Sequence, residues 1–400
     1  RPFAPLTELA KLLASDGENS DWLGWSVAVS GSTIVVGAPK DGAQLEGAAY
    51  VFTEPVAGWT GVLDEAAKLV ASSTGSDDSF GHAVAVFGDT VVVGAYKMDT
   101  ANGIQSGAVY VFEKPAGGWS GTLTEDAILL ASDGEEGDWL GYAVGMDGDQ
   151  IVASAPSDND NGNLTGSAYI FTKPGGGWSG TVNESAKLLA SDGAGGDTLG
   201  YSAAISGGTV VVGAYADDAN AGSAYVFLEP GGGWSGSLNE AAKLLASDGA
   251  GGDRFGWAAA VSGDTIVVGA LFDDDNGVFS GSAWVFVEPD GGWSGTLTED
   301  AKLLPSDGEG LDNFGLSVDV RGPTVAVGMN NARTSDPGEV YLFTRPGGGW
   351  SGTRNEARTL LASDRQSGDR LGSAVAMSEE AVVAGAHGDD SLKGSAYVFT

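Results

Sequence analysis

Short apolar runs alternate along the whole chain with segments rich in glycine, serine and aspartate. The clearest copy spans residues 243–286 and reads KLLASDGAGGDRFGWAAAVSGDTIVVGALFDDDNGVFSGSAWVF. Brief runs of Val, Ile and aromatic residues between Gly and Asp are typical of β-strands, and no run has the 3.6-residue period of an amphipathic helix. The pattern therefore predicts an all-β protein.

Four β-strands, lettered A to D, are predicted in each copy. In the copy above, strand A follows Phe255-Gly256, strand B covers residues 265–270 and strand C covers residues 281–286. The two residues Gly263-Asp264 between strands A and B are a strong hairpin signal. Strand D is the Ala-Lys-Leu-Leu-Ala segment of the following copy, which is reached through a long connection containing Gly and Trp.

The same pattern occurs seven times. The third residue of the Leu-Leu-Ala-Ser motif lies at Ala14, Ala71, Ala131, Ala190, Ala246, Pro305 and Ala362, so the intervals are 56 to 60 residues. A repeat of this length with several short strands per copy is the signature of a β-propeller. We therefore predict a seven-bladed β-propeller of four-stranded antiparallel blades.

The two ends of the chain are predicted to complete one blade together. Residues 9–14 have the pattern of a D strand, whereas the last copy supplies strands A, B and C within residues 371–400. Pairing between them closes the ring as a 3+1 clasp and removes exposed sheet edges. The expectation is one propeller domain over residues 1–400.

Each copy joins a Phe-Gly or Leu-Gly at the start of strand A to a Gly-Ala-like pair at the end of strand B. The first pair is Leu23-Gly24, Phe80-Gly81, Leu140-Gly141, Leu199-Gly200, Phe255-Gly256, Phe314-Gly315 and Leu371-Gly372. The second is Gly37-Ala38, Gly94-Ala95, Ser154-Ala155, Gly213-Ala214, Gly269-Ala270, Gly328-Met329 and Gly385-Ala386. This combination resembles the bacterial and archaeal variant of the FG-GAP repeat family.

Similar repeats form the seven-bladed head of integrin α chains, and the resemblance implies an extracellular or cell-surface module for adhesion and partner binding. Integrin-like copies carry an Asp-rich calcium loop between strands A and B. Here that hairpin is only two residues long in copies such as Gly88-Asp89 and Gly263-Asp264, which cannot surround Ca²⁺ with six or more oxygen ligands. The family's usual metal site is therefore not expected.

Composition narrows the choice of partner. The chain has 54 Asp and Glu against 19 Lys and Arg, a formal net charge of −35. Such a surface repels nucleic-acid phosphates and anionic lipids, and no apolar run reaches the roughly 18 residues of a membrane span. We expect a protein or glycan partner, with no nucleic acid and no membrane insertion.

Acidic residues concentrate on one face of the predicted ring, the upper face, which is formed by the D-to-A and B-to-C connections. Oxygen ligands in excess suit Ca²⁺, so one hypothesis is a Ca²⁺ site where a B-to-C cluster faces the D-to-A loop of its own blade. The candidate ligands are Asp158 and Asp160 in one blade, and Asp248, Asp253, Asp273 and Asp275 in another. The alternative is that these aspartates cap turns by accepting backbone N–H bonds. Four basic residues interrupt the acidic B-to-C loops and are candidates for partner binding: Lys40, Lys97, Arg333 and Lys393.

Tryptophans recur on the opposite, lower face, one in each complete C-to-D connection. They are Trp59, Trp119, Trp178, Trp234, Trp293 and Trp350. Exposed rings in a circle can stack sugars, as in a lectin with one pocket per blade. The alternative is that each ring packs against the neighbouring blade and anchors its glycine-rich loop.

Catalytic chemistry has little support. The two histidines, His82 and His387, fall at unrelated positions of the repeat, there is no cysteine, and the carboxylate pairs recur in most copies, whereas a catalytic pair is normally unique. We predict a non-enzymatic extracellular or cell-surface binding module that uses the acidic upper face, with Ca²⁺ as a candidate cofactor. The alternatives are a carbohydrate-binding propeller using the C-to-D tryptophans and a structural subunit of a surface layer or filament.

Overall fold

Seven sheets surround a central channel in the computed structural model, which describes residues 6–73, 75–160, 162–330 and 337–400. Each sheet is one blade, so the predicted seven-bladed all-β propeller is confirmed. The innermost, A, strands of blades 1 to 7 are Ser26–Ser30, Ala83–Phe87, Val144–Asp147, Ser202–Ser206, Ala258–Ser262, Ser317–Arg321 and Ala374–Met377.

Strands B and C form the buried centre of each blade. The B strands are Thr33–Ala38, Thr90–Ala95, Gln150–Ala155, Thr209–Ala214, Thr265–Ala270, Thr324–Met329 and Val382–Ala386. The C strands are Ala48–Thr53, Ala108–Glu113, Ser167–Thr172, Ser223–Leu228, Ser282–Val287, Glu339–Thr344 and Ser395–Phe399. Most of their residues are buried on both sides, because each blade packs between two neighbours.

Strand D lies outside strand C and pairs with it in the antiparallel sense. The D strands of blades 1 to 7 are Ala67–Leu69, Ala127–Leu130, Ala186–Leu189, Ala242–Leu245, Ala301–Leu303, Arg358–Leu361 and Ala10–Leu13. Two tight turns with a left-handed backbone, Asp217–Asn220 and Asp389–Leu392, lie in the B-to-C connections of blades 4 and 7. None of the helices in the described part of the chain has the length and apolar character of a membrane span.

A fifth strand, E, runs parallel to strand D in every blade, so the prediction of four strands was one strand short. For blades 1 to 7 the E strands are Gly121–Leu123, Gly180–Asn183, Gly236–Asn239, Gly295–Thr298, Gly352–Arg354, Leu6–Thr7 and Gly61–Asp64. Apart from Leu6–Thr7, each comes from the C-to-D connection of the following blade. The segment after Gly-Trp-Ser-Gly therefore pairs with the otherwise open edge of the preceding D strand, instead of forming a loop.

A glutamate after each E strand holds the preceding blade in place. Glu299, for example, accepts hydrogen bonds from the backbone N–H and the Oγ of Ser247, at 3.0 and 2.6 Å. The same two bonds join Glu8 to Ser363, Glu65 to Ser15, Glu125 to Ser72, Glu184 to Ser132, Glu240 to Ser191 and Glu356 to Ser306. Neighbouring blades are thus stapled at the seven junctions.

The N-terminal region contributes to both blade 6 and blade 7. Ala10–Leu13 pairs antiparallel with the C strand of blade 7, with Ala10 opposite Val398 and Leu12 opposite Ala396. Leu6–Thr7 pairs in parallel with residues 360 and 361 of blade 6. Strands from the two ends of the described chain are therefore direct neighbours in blade 7.

The Phe-Gly and Gly-Ala pairs meet between adjacent blades. The backbone of Gly81, at the start of blade 2, lies so close to Gly37 of blade 1 that a Cβ on Gly37 would overlap the Gly81 carbonyl oxygen. The Ser26 Oγ donates to the same carbonyl at 2.9 Å. At Gly37 only glycine permits this approach of two backbones. The same contact accounts for the joint recurrence of the two motifs in six blades, while blade 3 has Ser154 at the equivalent position.

Candidate partner-binding face

Each B-to-C loop aspartate cluster meets a lysine from strand D. In blade 5 the Lys302 Nζ lies 2.7 Å from Asp248, 3.2 Å from Asp273 and 2.6 Å from Asp275. The ammonium also lies over the ring of Trp284, 4.7 Å from its centroid. The lysine side chain is 8% exposed, so its charge is held inside a cage of carboxylates and one aromatic ring.

Five blades build this lysine–carboxylate cluster. In the other four, Lys11 meets Asp364 and Asp389, Lys68 meets Asp16 and Asp41, Lys187 meets Asp133, Asp158 and Asp160, and Lys243 meets Asp192 and Asp217. Blade 2 has Ile128 and blade 6 has Thr359 in the place of the lysine.

The lysine and the aspartates stabilise each other's charged forms. Burial alone would lower the pKa of Lys302, but the carboxylates of Asp248, Asp275 and Asp273 raise it above its ordinary value. Burial alone would raise the pKa of Asp217, but hydrogen bonds from Lys243 and Ser223 hold it below its ordinary value. Both partners are therefore ionised at neutral pH.

The upper mouth of the central channel is lined by aromatic side chains. The residue directly after the Phe-Gly or Leu-Gly pair is Trp25, His82, Tyr142, Tyr201 and Trp257 in blades 1 to 5. Adjacent ring centroids along this series are 5.7, 4.8, 5.0 and 4.4 Å apart. The five half-buried rings form a continuous arc, the aromatic arc, which blades 6 and 7 leave open with Leu316 and Ser373.

Cationic side chains lie on the outer side of the aromatic arc. The Arg254 guanidinium is 4.6 Å from the ring centroid of Phe272 and 5.7 Å from that of Trp257. Lys40 and Lys97 share the carboxylate of Asp77, at 2.7 and 3.0 Å. Their ammonium groups also lie 5.9 Å from the ring of Trp22 and 5.6 Å from that of Tyr96, respectively.

The arc surrounds a shallow cup of about 230 Å³ at the mouth. Its wall includes the hydroxyl-bearing residues Ser26, Ser202, Ser317 and Ser373 together with all five rings. A cup of this size accommodates one amino-acid side chain or one sugar ring. Partly exposed aromatic rings, hydroxyl groups and nearby cations together make a surface suited to recognising another molecule.

A profile of the FG-GAP repeat matches the chain seven times, at residues 6–52, 63–112, 123–171, 182–227, 238–286, 297–343 and 355–399. The chain belongs to the FG-GAP repeat family. Among curated proteins no sequence relative was found. The crystal structure of Sqt1 from Chaetomium thermophilum is similar in fold, with a TM-score of 0.52 and 14% identity over 94% of this chain and 82% of Sqt1.

Five of the six predicted Ca²⁺ ligands of this FG-GAP propeller surround a lysine. Asp158 and Asp160 contact Lys187, and Asp248, Asp273 and Asp275 contact Lys302. Within the described ranges no group of three or more His, Asp or Glu side chains is arranged to hold a metal. Calcium would have to displace the lysine ammonium, and its binding stays a prediction. The sequence signal for this pairing was the lysine that five of the seven copies carry in the Lys-Leu-Leu-Ala motif.

Asp253, the sixth predicted ligand, caps its own loop. Its carboxylate accepts a hydrogen bond from the backbone N–H of Ala250 at 2.6 Å. Asp138 does the same for Glu135 in blade 3, and burial raises the pKa of Asp138 to about 6. The second aspartate of each Ser-Asp-Gly-x-x-Gly-Asp loop thus fits the turn-capping alternative.

The six C-to-D tryptophans are buried, with 3–6% of their surface exposed. Trp59 belongs to the core between blades 7 and 1, and Trp119 to the core between blades 1 and 2. A sugar stacks on an exposed ring face, and these rings offer none. They instead anchor the glycine-rich connection that leads into strand E.

The four predicted partner-binding cations differ in their surroundings. Lys40 and Lys97 lie beside the aromatic arc, whereas Lys393 is exposed on the B-to-C loop of blade 7. Arg333 lies outside the described residues. Sequence reasoning missed the arc itself, although its signal was present as an aromatic residue after the Phe-Gly or Leu-Gly pair in five successive repeats.

The two histidines both lie at the upper mouth. Burial, with the nearby Lys97 and Lys40, lowers the pKa of His82 to about 3. Burial, with the charge of Arg370, lowers the pKa of His387 to about 3, and the Arg370 guanidinium lies 3.0 Å from its Nε2. Both rings are neutral at physiological pH and serve as packing and hydrogen-bonding groups of the mouth.

Proposed function

We propose that this FG-GAP propeller is a non-enzymatic, extracellular or cell-surface binding module that holds a protein partner on its upper face. The aromatic arc at the channel mouth is the observation that carries this proposal. Five consecutive blades place an aromatic ring at one structural position, and two blades leave a gap. A purely structural role would not require this asymmetry in an otherwise repeated ring.

The chemistry of the arc favours a protein partner. Aromatic residues and arginine are enriched at the energetic centres of protein interfaces. Trp and Tyr bury a large area at a low cost in conformational entropy, and arginine adds a planar charged group that stacks on aromatic rings. Trp257, Tyr201 and Arg254 combine these properties at the rim of a cup that fits one side chain. A protruding side chain of the partner would enter the cup and contact these three residues.

Charge favours a basic partner. The upper face carries exposed acidic residues, among them Glu18, Glu135, Glu136, Asp218, Asp274 and Asp390, and the chain as a whole has a net charge of −35. This field accelerates association with a positively charged surface. The proposal needs no bound Ca²⁺, because lysine ammonium groups already neutralise part of each aspartate cluster.

The non-enzymatic part of the proposal rests on the state of the titratable groups. A histidine whose pKa is about 3 is a poor general base at neutral pH. The buried carboxylates of the B-to-C loops, such as Asp158, Asp217 and Asp273, are held by lysines, which leaves them unsuited to proton transfer. Both features support binding over catalysis.

Binding measurements on two variants test the proposal. The immobilised propeller would be screened against a panel of basic and acidic proteins and a glycan array, and W257A would be compared with F87A, which removes an exposed ring from the lower face. We expect at least a tenfold loss of affinity in W257A and none in F87A. Equal affinities, or binding to glycans alone, would contradict a protein site at the mouth.

A further inference from the structure

One position in the B-to-C loop has a left-handed backbone wherever the structure describes it. It is the second residue before the glycine that precedes strand C. The residues and their φ angles are Leu45 at 62°, Gln105 at 51°, Leu164 at 56°, Asn220 at 65°, Phe279 at 57° and Leu392 at 66°. In blade 6 the position falls in residues 331–336, outside the described part of the chain.

The left-handed backbone serves the joint between neighbouring blades. In blades 2, 3, 4, 5 and 7 it turns the carbonyl of this residue toward the D-to-A loop of the next blade, where the carbonyl accepts an N–H bond; in blade 1 the neighbouring Gln44 carbonyl accepts instead, from Asp77. Leu392 accepts from Trp22 at 3.1 Å, Asn220 from Arg254 at 3.0 Å, and Phe279 from Asn313 at 3.1 Å. The conformation is therefore required by the ring and is independent of the side chain.

The side chains found there are poorly suited to this conformation. Asparagine tolerates a left-handed backbone better than other non-glycine residues, and blade 4 uses Asn220. Blades 1, 3, 5 and 7 instead use Leu45, Leu164, Phe279 and Leu392, a set that we call the apolar rim. These four side chains are 42, 39, 40 and 36% exposed. Each residue therefore carries two costs: a left-handed backbone that its side chain disfavours, and apolar surface in contact with water.

The apolar rim is continuous with the channel mouth in blade 5. Phe279 packs on Phe272 with 4.6 Å between centroids, and Phe272 lies under the Arg254 guanidinium that also contacts Trp257. Val278 and Leu311 enlarge this patch, since they are 61 and 41% exposed. Apolar surface thus extends from the aromatic arc to the outer edge of the upper face.

Acidic side chains flank the apolar rim in blades 5 and 7. Asp274 and Asp275 precede Phe279 in its loop, and Asp390 precedes Leu392; all three are exposed. Carboxylates disfavour an anionic membrane surface and favour lysine and arginine. The charge of the face therefore selects a protein with a basic border as the occupant.

We propose that the apolar rim docks onto a protein surface that carries aliphatic side chains bordered by lysine and arginine. The inference rests on the proposed function and adds the chemistry of the contact outside the mouth. The four rim residues contribute affinity to the complex, whereas the unbound propeller would fold at least as well with asparagine at each position.

The natural Asn220 supplies the test variant, in which L45N, L164N, F279N and L392N are combined. The probe is a fluorescein-labelled helical peptide with leucine on one face and lysine on the other. Matched peptides replace leucine by serine or lysine by glutamate. We expect at least a tenfold weaker affinity of the variant for the Leu/Lys peptide, weak binding of both control peptides to the wild type, and an unchanged or higher Tm for the variant.

Four outcomes would overturn the apolar rim: a variant with wild-type affinity, equal binding of the control peptides, a Tm loss that accompanies the weaker binding, or association of the wild type with neutral phosphatidylcholine vesicles. The W257A variant separates this inference from the proposed function. If W257A abolishes binding to a protein of the panel while the rim variant does not, the result supports binding at the channel mouth and contradicts binding by the apolar rim. If the rim variant alone loses binding, the result supports the apolar rim and contradicts binding at the channel mouth.

Discussion

Blade 5 and blade 2 fill the same position between strands C and D with different chemistry. In blade 5, Lys302 is surrounded by Asp248, Asp273 and Asp275. The backbone N–H of Asp273 donates to the Ala270 carbonyl at 3.2 Å, which fixes the start of the B-to-C loop. The contacts of Lys302 with Asp273 and Asp275 hold this loop against strand D.

In blade 2 the positions of Lys302, Asp248 and Asp273 are all neutral. Met98 takes the place of the loop aspartate and donates the equivalent backbone bond to Ala95 at 3.1 Å. Ile128 replaces the lysine and Ser73 the aspartate of the D-to-A loop. Met98 and Ile128 both pack against the hydrophobic core between blades 1 and 2.

The difference shows that the cluster is a unit whose members depend on one another. A buried ion pair can be replaced as a whole by apolar residues at little cost in stability, whereas removing one partner leaves an uncompensated buried charge. Blade 2 shows that the fold accepts the neutral solution. Blade 6 lacks the lysine but keeps the D-to-A aspartate, Asp307, which is exposed to solvent and accepts a hydrogen bond from the Tyr341 hydroxyl at 3.2 Å.

Removing only the lysine of the cluster should have the largest effect on the free energy of unfolding. K302M leaves three aspartates without their cation, and we expect a loss of about 3–5 kcal/mol in the free energy of unfolding. Urea denaturation at pH 7 measures it. A loss smaller than that of a neutral surface change such as T296A would show that the cluster is not a mutually dependent unit.

Asp319 is a partly buried carboxylate without a lysine partner among the described residues, and removing its charge is expected to stabilise the protein. Asp319, in strand A of blade 6, accepts backbone N–H bonds from Met377 and Val320, and burial raises its pKa to about 7. Because its pKa is higher in the folded than in the unfolded protein, the charge of Asp319 lowers the free energy of unfolding as pH rises from about 4 through 7. We expect D319N to exceed the wild type by about 2–4 kcal/mol at pH 8.

The pH series supplies the check on Asp319. The advantage of D319N should shrink steadily between pH 8 and pH 4, where the wild-type carboxyl is protonated. Thermal unfolding in buffers across this range measures it. A difference that is independent of pH would assign the effect to packing and not to charge.

Calcium should have different effects on the stability of the wild type and of K302M. In the wild type the ammonium of Lys302 occupies the centre of the carboxylates, so millimolar Ca²⁺ is expected to leave the Tm unchanged. In K302M the vacated carboxylates can bind the ion, which would restore about 1–2 kcal/mol at tenfold excess over its Kd. Equal Tm shifts in both proteins would indicate Ca²⁺ binding elsewhere.

Copying blade 2 into blade 5 should have the smallest effect. The combination of D248S, D273M and K302I replaces the lysine and two of its three carboxylates together. The third carboxylate, Asp275, is exposed to solvent, so the variant is expected to remain within about 1 kcal/mol of the wild type. The same urea titration as for K302M measures it. A triple variant as unstable as K302M would mean that the neutral solution of blade 2 depends on other residues of that blade.

The repeat period and the Phe-Gly and Gly-Ala pairs were sufficient to predict the propeller and its seven blades. Strand E was missed because its Gly-Thr-Leu pattern is short and glycine-flanked, and its pairing partner belongs to another repeat. The lysine–carboxylate cluster was missed for a related reason: Lys302 and Asp248 are 54 residues apart. Local patterns identify strands, but contacts between repeats depend on how the ring closes.

The aromatic arc was not predicted from the sequence, because the recurring C-to-D tryptophans were the candidate binding residues. Trp293 recurs in a fixed motif because it is a core residue, whereas Trp257 lies at a position that varies between blades. In a repeat protein, the positions that vary carry more information about binding than those that recur. This distinction can be made from sequence alone once the repeats are aligned.

The pairing of Ala10–Leu13 with Ser395–Phe399 determines how the ring resists mechanical load. Ala10 lies opposite Val398, so force applied at residues 10 and 399 acts at the same end of two antiparallel strands and across their hydrogen bonds. Such a geometry opens one bond at a time, at lower force than shearing a ladder lengthwise. Tension carried through both ends would therefore peel blade 7 open, while a load that enters through a partner on the upper face would be shared by the stapled blades.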